Sequence, residues 1–299
     1  MKAFMIRLGF GTPRGPLFAV TATALLGFVA PAHSQTVVHS FSENFDSLNI
    51  GDLHTQAGWS VSNDSARRQF SEVRAYGEGN KVFRLLPNEW AAVSVNQSFI
   101  SEVNTLSLSW TMRAFTESER SEVISETGGG TWTNLAGGAE LMAGPERYQN
   151  PILSVLIQRN DSTGNQQMLL YSQWDAFEDK YVTVQVPRTG ENSFLPSNSI
   201  TYLFSVTVNL ENHSYSFSVS DASDSSVIWT SPAAIAINPN ASFPKYLRLR
   251  AQGNNAAGAV FDDVVLQQMH VLAPIPEPSS FAILAGAAAM GLVVTRRRR

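Results

Sequence analysis

The sequence predicts an all-β protein, a two-sheet antiparallel β-sandwich, for residues 35–273. In Leu106–Arg113 apolar and polar residues alternate strictly, which places one side of a strand in a core and the other in water. The alternation recurs in Tyr202–Leu210 and Tyr215–Val219, and the polar turn between them predicts an antiparallel hairpin. Many strands with almost no amphipathic helical stretch are typical of a sandwich.

Further strands are predicted where short apolar or alternating runs are bounded by polar turns. These runs are Val82–Leu86, Ala91–Phe99, Ile152–Gln158, Met168–Trp174, Tyr181–Val186, Ser226–Trp229, Tyr246–Ala251 and Ala259–Leu266. Residues 117–147 break the pattern, because they combine several glutamates with two glycine clusters. We interpret this segment as a long loop inserted between strands, a feature that is often functional or disordered.

The amino-terminal segment has the layout of a secretory signal peptide. Lys2, Arg7 and Arg14 precede an apolar stretch over residues 16–30, and small residues follow up to Ser34. We therefore expect residues 1–34 to form a signal helix that a signal peptidase removes, with cleavage after Ser34 favoured over cleavage after Ala32.

The carboxyl-terminal segment, residues 274–299, combines a proline motif, an apolar run and a basic end. These are Pro276-Glu277-Pro278, Phe281–Val294 and Arg296-Arg297-Arg298-Arg299. With Ser279, Ser280 and Thr295 the run reaches 17 residues, the short end of the range for a membrane-spanning helix. The arginines would stop transfer on the cytoplasmic side, because Lys and Arg resist translocation. The alternative is a buried helix at a domain edge.

This tail resembles the PEP-CTERM sorting signal of Gram-negative bacteria. The resemblance implies export across the inner membrane, an anchor that holds the body in the periplasm, and processing by an exosortase. It also implies a place at the cell surface or outside the cell after processing, and a link to exopolysaccharide. It covers the tail alone.

The charge of the body argues against nucleic acid as a partner. The whole chain has 21 Lys+Arg and 25 Asp+Glu, and removing the seven basic residues and Glu277 of the terminal segments leaves 14 against 24. The body therefore carries about −10, whereas phosphates require a basic surface. The chain contains no cysteine, which excludes disulfides and thiolate metal sites.

The body resembles the concanavalin A-like, or laminin-G-like, jelly rolls. The resemblance rests on Glu43-Asn44-Phe45-Asp46 near the start, on the hairpin Tyr202–Val219 and on Phe261-Asp262-Asp263-Val264 at the end. It implies that the first and last strands are neighbours. It also implies a structural Ca²⁺ at their ends, with Asp262 as the closing-strand ligand and Glu43 as the second. An immunoglobulin-like or other sandwich is the alternative fold, and solvated carboxylates are the alternative to Ca²⁺.

Catalysis is not expected. A retaining glycosidase needs two carboxyl groups about 5–5.5 Å apart, and no strand-like segment carries such a pair. Glu117, Glu119, Glu122 and Glu126 come nearest, but they lie in polar sequence that indicates a solvated loop.

Trp132 is the candidate carbohydrate contact, because it lies in a glycine-rich loop with little apolar company. The sequence therefore predicts a non-catalytic exported envelope or matrix protein. A lectin-like carbohydrate-binding module is the alternative, followed by a divergent polysaccharide hydrolase.

Overall fold

The computed structural model describes most of the body and none of the two terminal segments. The described residues are 35–62, 71–77, 79–86, 89–95, 104–131, 133–143, 151–160, 166–231, 234–241, 243–251 and 257–271. None of the helices within these ranges is long and apolar enough to cross a membrane. The predicted signal helix and the predicted carboxyl-terminal helix lie outside the described residues.

The described chain is built almost entirely of strands, with one α-helix. In chain order the elements are β1 Gln35–Glu43, β2 Gly51–Asp52, β3 Trp59–Val61, β4 Glu72–Ala75, β5 Lys81–Leu85, β6 Trp90–Ser94, β7 Thr105–Arg113, α1 Glu117–Thr127, β8 Asn134–Leu135, β9 Gly137–Met142, β10 Leu153–Asn160, β11 Gln166–Asp175, β12 Lys180–Gln185, β13 Tyr202–Asn209, β14 Ser214–Asp221, β15 Val227–Thr230, β16 Ile235–Ala236, β17 Tyr246–Arg250 and β18 Ala257–Val271.

The strands form two sheets, which confirms the predicted two-sheet sandwich. The larger sheet follows the order β15-β14-β13-β7-β18-β5-β4-β2, with β1 and β8 beside β18 and β16 beside β14. The smaller sheet has seven strands in the order β12-β11-β10-β9-β17-β6-β3. Pairing is antiparallel except between β8 and β18. The first and last strands pair along their length, with Glu43 opposite Val264, so that part of the prediction is also confirmed.

The core lies between the two sheets and is lined by the apolar positions of the alternating strands. On β7, Leu106, Leu108, Trp110 and Met112 are buried while the residues between them are partly exposed. The Trp110 ring stacks on Phe204 of β13 with centroids 4.8 Å apart and nearly parallel planes. Burial of these large side chains is the main source of stability, since the chain has no disulfide.

The interpretation of residues 117–147 as a loop is wrong. Glu117–Thr127 forms α1, which Thr116 caps: its hydroxyl accepts from the Glu119 N–H while the Glu119 carboxylate accepts from the Thr116 N–H. Only Val123 of this helix is fully buried, so the sequence lacks the apolar period by which helices are recognised.

The second glycine cluster of the same segment, Gly137 and Gly138, begins strand β9, which lies in the middle of the smaller sheet. Its first residue, Gly137, faces the other sheet so closely that a Cβ would lie 2.6 Å from Cβ of Ala259. The glycine is required there because the two sheets approach without room for a side chain.

Candidate functional site

The pairing of β1 with β18 brings the acidic ends of the body together. A bulge follows Asp262 on β18, and Asp263 adopts the left-handed conformation with φ of 48°. Burial, together with the negative charges of Asp263 and Asp46, raises the pKa of Asp262 to about 6, although hydrogen bonds from the Asp263 N–H and the Asn80 side chain oppose this rise. The fold therefore places Asp262 beside Asp46, a neighbour that would favour a bound cation.

The other residues at this corner already have partners within the protein. One Glu43 carboxylate oxygen accepts from the Phe45 N–H at 2.8 Å. Asp46 accepts from the Lys81 N–H at 2.7 Å, and the Lys81 ammonium donates to the carbonyl oxygens of Asp46 and Leu48. Within the described ranges, no three acidic or histidine side chains are gathered closely enough to hold a metal ion.

The glutamates of α1 are bound to arginines of the larger sheet. Glu122 and Glu126 each form ion pairs with Arg74 of β4 and with the buried Arg84 of β5, and Glu72 joins both arginines. These contacts hold the helix against the sheet.

Glu119, in the first turn of the helix, has its own arginine. Both oxygens of its carboxylate accept from Arg113, at 2.7 and 2.9 Å. Burial alone would raise the pKa of Glu119, but the hydrogen bonds and charge of Arg113 outweigh it and hold the pKa below its usual value. Three of the four carboxylates that came nearest to a glycosidase pattern, Glu119, Glu122 and Glu126, therefore have structural partners.

The outer face of the smaller sheet carries a buried ion pair at its centre. Glu140 of β9 lies opposite Arg248 of β17, and both face away from the core because Leu141, Leu247 and their alternates face it. The Glu140 carboxylate accepts from Arg248 at 2.5 Å, from the Ser154 hydroxyl and, at 3.4 Å, from Arg250. Glu140 and Arg248 are 1% and 2% exposed, so this charge is neutralised inside the protein.

Beside this pair, the outer face holds accessible polar and aromatic side chains. Trp90 of β6 lies opposite Arg250, and Ser94 lies opposite Tyr246. Trp90, Arg250 and Tyr246 are partly exposed, and Ser94 is exposed. Trp90 and Tyr246 are four positions apart along the strand direction, a distance of about 13 Å. We call Ser60, Trp90, Ser94, Tyr246 and Arg250 the outer strip.

A pocket of about 200 Å³ opens at one end of the sandwich. We call this end the exit end, because β18 finishes there: Met269 pairs with Thr105 at the start of β7. Apolar side chains from both sheets and from residues 237–244 line the pocket, among them Leu106, Ile152 and Phe243. The pocket can hold a small apolar group.

The remaining residues predicted as sites fall outside the described part of the chain. They are Trp132, the sorting motif Pro276, Glu277 and Pro278, and the arginines Arg296, Arg297, Arg298 and Arg299. The outer strip and the Glu140–Arg248 pair were not predicted from sequence. The signal available in the sequence was Arg248, a charged residue at a polar position of Tyr246–Arg250. Its partner, Glu140, lies more than a hundred residues away along the chain.

Comparisons with known proteins identify no family. No family model and no curated protein matches the chain. Peanut lectin with a 9mer peptide is similar at 11% identity, covering 80% of this chain and 99% of that chain, with a TM-score of 0.44. The CBM2 module of Lactobacillus casei BL23 phage J-1 evolved Dit has 10% identity, covering 79% of this chain and 100% of that chain, with a TM-score of 0.44. A carbohydrate esterase from Shiga toxin-encoding bacteriophage phi24B has 12% identity, 79% and 99% coverage, and a TM-score of 0.45. Similarity at this level does not distinguish a binding protein from an enzyme.

Proposed function

We propose that this chain is an exported, non-catalytic β-sandwich protein of the jelly-roll type that binds carbohydrate at the outer strip. The observation that supports binding is the placement of Trp90 and Tyr246 on one sheet face, about 13 Å apart along the strands, with Arg250 and two serines beside them. Aromatic faces stack on sugar rings, serine hydroxyls donate to and accept from sugar hydroxyls, and a guanidinium group donates to them. A spacing of this size suits a short oligosaccharide rather than a single sugar.

A non-catalytic role is proposed because the carboxylates that are candidates for catalysis are bound to arginines in the described structure. Glu140 is held by Arg248, and Glu122 and Glu126 are held by arginines on the other sheet. An acid–nucleophile pair needs two carboxyl groups whose environments separate their pKa values. Carboxylates that are bound to arginines in this way are not available to form such a pair.

Carbohydrate binding is tested on residues 35–273 with a glycan array, followed by titration calorimetry on the best ligand. We expect Trp90→Ala to weaken binding by about 1–2 kcal/mol, the range for losing one aromatic contact. Phe177→Ala is the matched control, because Phe177 is the most exposed aromatic residue described and lies away from the strip. Trp132→Ala is tested in parallel, because the sequence predicts a sugar contact there.

The outcomes separate the alternatives. Weakening by Trp132→Ala alone would move the site to the glycine-rich segment. Absence of any bound glycan would favour a structural envelope or matrix protein without a small ligand. If the protein releases reducing ends from β-glucans, xylan or alginate, and changing Glu122 or Glu126 abolishes this activity, the chain is a polysaccharide hydrolase.

A structural Ca²⁺ at the corner of β1 and β18 is part of the proposal. Asp262 and Asp46 offer carboxylate oxygens, which are ligands of the kind that Ca²⁺ prefers. Glu43, the second ligand expected from sequence, does not form a group of three carboxylates with them in the described part of the chain, and one of its oxygens accepts from the Phe45 N–H. A cation here would oppose both the burial and the repulsion that raise the pKa of Asp262.

The effect of Asp262→Asn on stability is expected to change sign when Ca²⁺ is added: the variant is more stable than wild type without the ion and less stable with it. The pKa of Asp262 is about 6 in the folded chain and about 4 when unfolded, so wild type loses stability as pH rises from about 4 to 6. Without Ca²⁺ the variant should be about 1 kcal/mol more stable at pH 7 and no different near pH 4; this allows for solvent screening of the half-buried carboxylate. With Ca²⁺ at a hundredfold excess over Kd, wild type should gain about 2.7 kcal/mol and the variant nothing. Melting curves that a chelator leaves unchanged would argue against the metal.

The tail is proposed to direct sorting and to be removed. In a host with an exosortase, the mature protein should lack the residues beyond about Pro278, as measured by mass spectrometry of the surface fraction. Neutral replacements of the four terminal arginines should impair retention and orientation, because they remove the positive charge that stays inside. Intact Arg299 in the surface fraction would contradict this prediction.

A further inference from the structure

The exit end of the sandwich exposes two phenylalanines. Phe177, in the turn between β11 and β12, is 93% exposed, and Phe243, beside the pocket, is 51% exposed. The turn lies at the exit end because β11 runs past Ser172, whose hydroxyl accepts from the N–H of Ser154 near the start of β10. Tyr181, just after the turn, accepts from the N–H of Asn238, which lines the pocket. The two phenylalanines therefore belong to neighbouring loops.

The exposure of Phe177 is built into the turn. One carboxylate oxygen of Asp175 accepts from the N–H groups of both Phe177 and Glu178, at 2.9 and 3.1 Å. Asp179 completes the turn in the left-handed conformation, with φ of 51°. Such a turn holds an apolar ring in solvent. Burying that ring against another apolar surface would be favourable because of the hydrophobic effect.

The chain leaves the described sandwich at the same end. β18 ends at Val271, two residues past the Met269–Thr105 pair, and the Asn104 N–H donates to the Met269 carbonyl. Nine residues, 272–280, separate Val271 from the apolar run that begins at Phe281. Even fully extended, such a connection spans no more than about 30 Å. If the run lies in a membrane, the exit end is close to the lipid surface.

We propose that the exit end docks on the lipid bilayer, with Phe177 and Phe243 entering the interface. This rests on the proposed membrane role of the tail and adds an orientation that the tail alone does not impose. Acidic Glu178, Asp179 and Glu211 outnumber Lys180 and Lys245 among the described charges of these loops. The lipid surface is therefore bound through apolar contact, and attraction between basic residues and anionic headgroups does not contribute.

The absence of cysteine allows a direct test, because each single-cysteine variant has one labelling position. The full-length chain is reconstituted into vesicles of phosphatidylethanolamine and phosphatidylcholine, and an environment-sensitive NBD dye is attached at Phe177→Cys or Phe243→Cys. The matched control is Val227→Cys: Val227 is 62% exposed and pairs with Ser220 at the opposite end of β14 from the exit end.

We expect blue-shifted NBD emission and quenching by doxyl-labelled lipid at position 177, with a similar result at 243 and neither change at 227. Emission at 177 that matches 227, in chains that float with the vesicles, would overturn docking and leave the proposed anchor intact. Chains that do not float with the vesicles would overturn the anchor, and docking with it. Sugar binding by residues 35–273 is measured separately, so its failure is distinguishable from both.

Discussion

Replacing Arg248 with alanine is expected to destabilise the folded chain by about 3–5 kcal/mol. Arg248 and Glu140 are almost completely buried and 2.5 Å apart, so removing the guanidinium leaves a buried carboxylate without its main counter-charge. Domains of this kind are stable by only about 5–15 kcal/mol, so the loss is a large share of the total. Urea unfolding of residues 35–273, followed by tryptophan fluorescence, measures it.

The chain offers a matched control in Arg250, which pairs with the same carboxylate. Its side chain is 35% exposed and 3.4 Å from Glu140, so Arg250→Ala should cost no more than about 1 kcal/mol. Combining Arg248→Met with Glu140→Gln should recover much of the stability, because both charges are then removed together. Equal losses for Arg248→Ala and Arg250→Ala would contradict a dominant role for the buried pair. If the outer strip binds sugar, Arg250→Ala should weaken binding without this loss of stability.

Replacing Arg84 with alanine should have an effect of similar size at the other sheet, about 3–5 kcal/mol. Arg84 is 1% exposed and pairs with Glu72 at 2.5 Å and with Glu126 at 2.9 Å. Without Arg84, the glutamates of α1 face the buried carboxylate of Glu72, and the helix loses its ion pairs with a buried guanidinium. We expect faster hydrogen exchange throughout α1 and faster tryptic cleavage after Arg120, in addition to the loss of global stability.

Arg74 serves as the control for this variant, because it pairs with the same three glutamates from a more exposed position. Its side chain is 26% exposed, so solvent screens its charge and Arg74→Ala should cost clearly less. Unchanged cleavage after Arg120 in Arg84→Ala would contradict this role of Arg84 and show that the contacts of Arg74, Arg113 and Val123 are enough to hold α1.

The strands were predicted from sequence where a strand has one wet face and one buried face. Leu106–Arg113 and the hairpin from Tyr202 to Val219 alternate with period two, and both occur as predicted. Alternation is a local property, since each residue's direction is set by its neighbours along the strand. The pairing of the first and last strands was also anticipated, but from the resemblance and not from any local pattern.

Only the tertiary structure decided the elements and contacts whose partners are distant in sequence. Helix α1 buries little apart from Val123 and is held by arginines of three strands, so its sequence resembles a solvated loop. β9 lies in the middle of the smaller sheet, where glycine fits because the other sheet comes close.

The same limit applies to the candidate site. The sequence by itself determined a charged body without cysteine, a set of alternating strands and two terminal segments with the composition of targeting signals. It could not reveal that Glu140 meets Arg248, that Asp262 meets Asp46, or that Trp90 and Tyr246 share a face. Those neighbours are set by which strands pair and in what register, and the free energy that selects the register comes from burying the whole core at once.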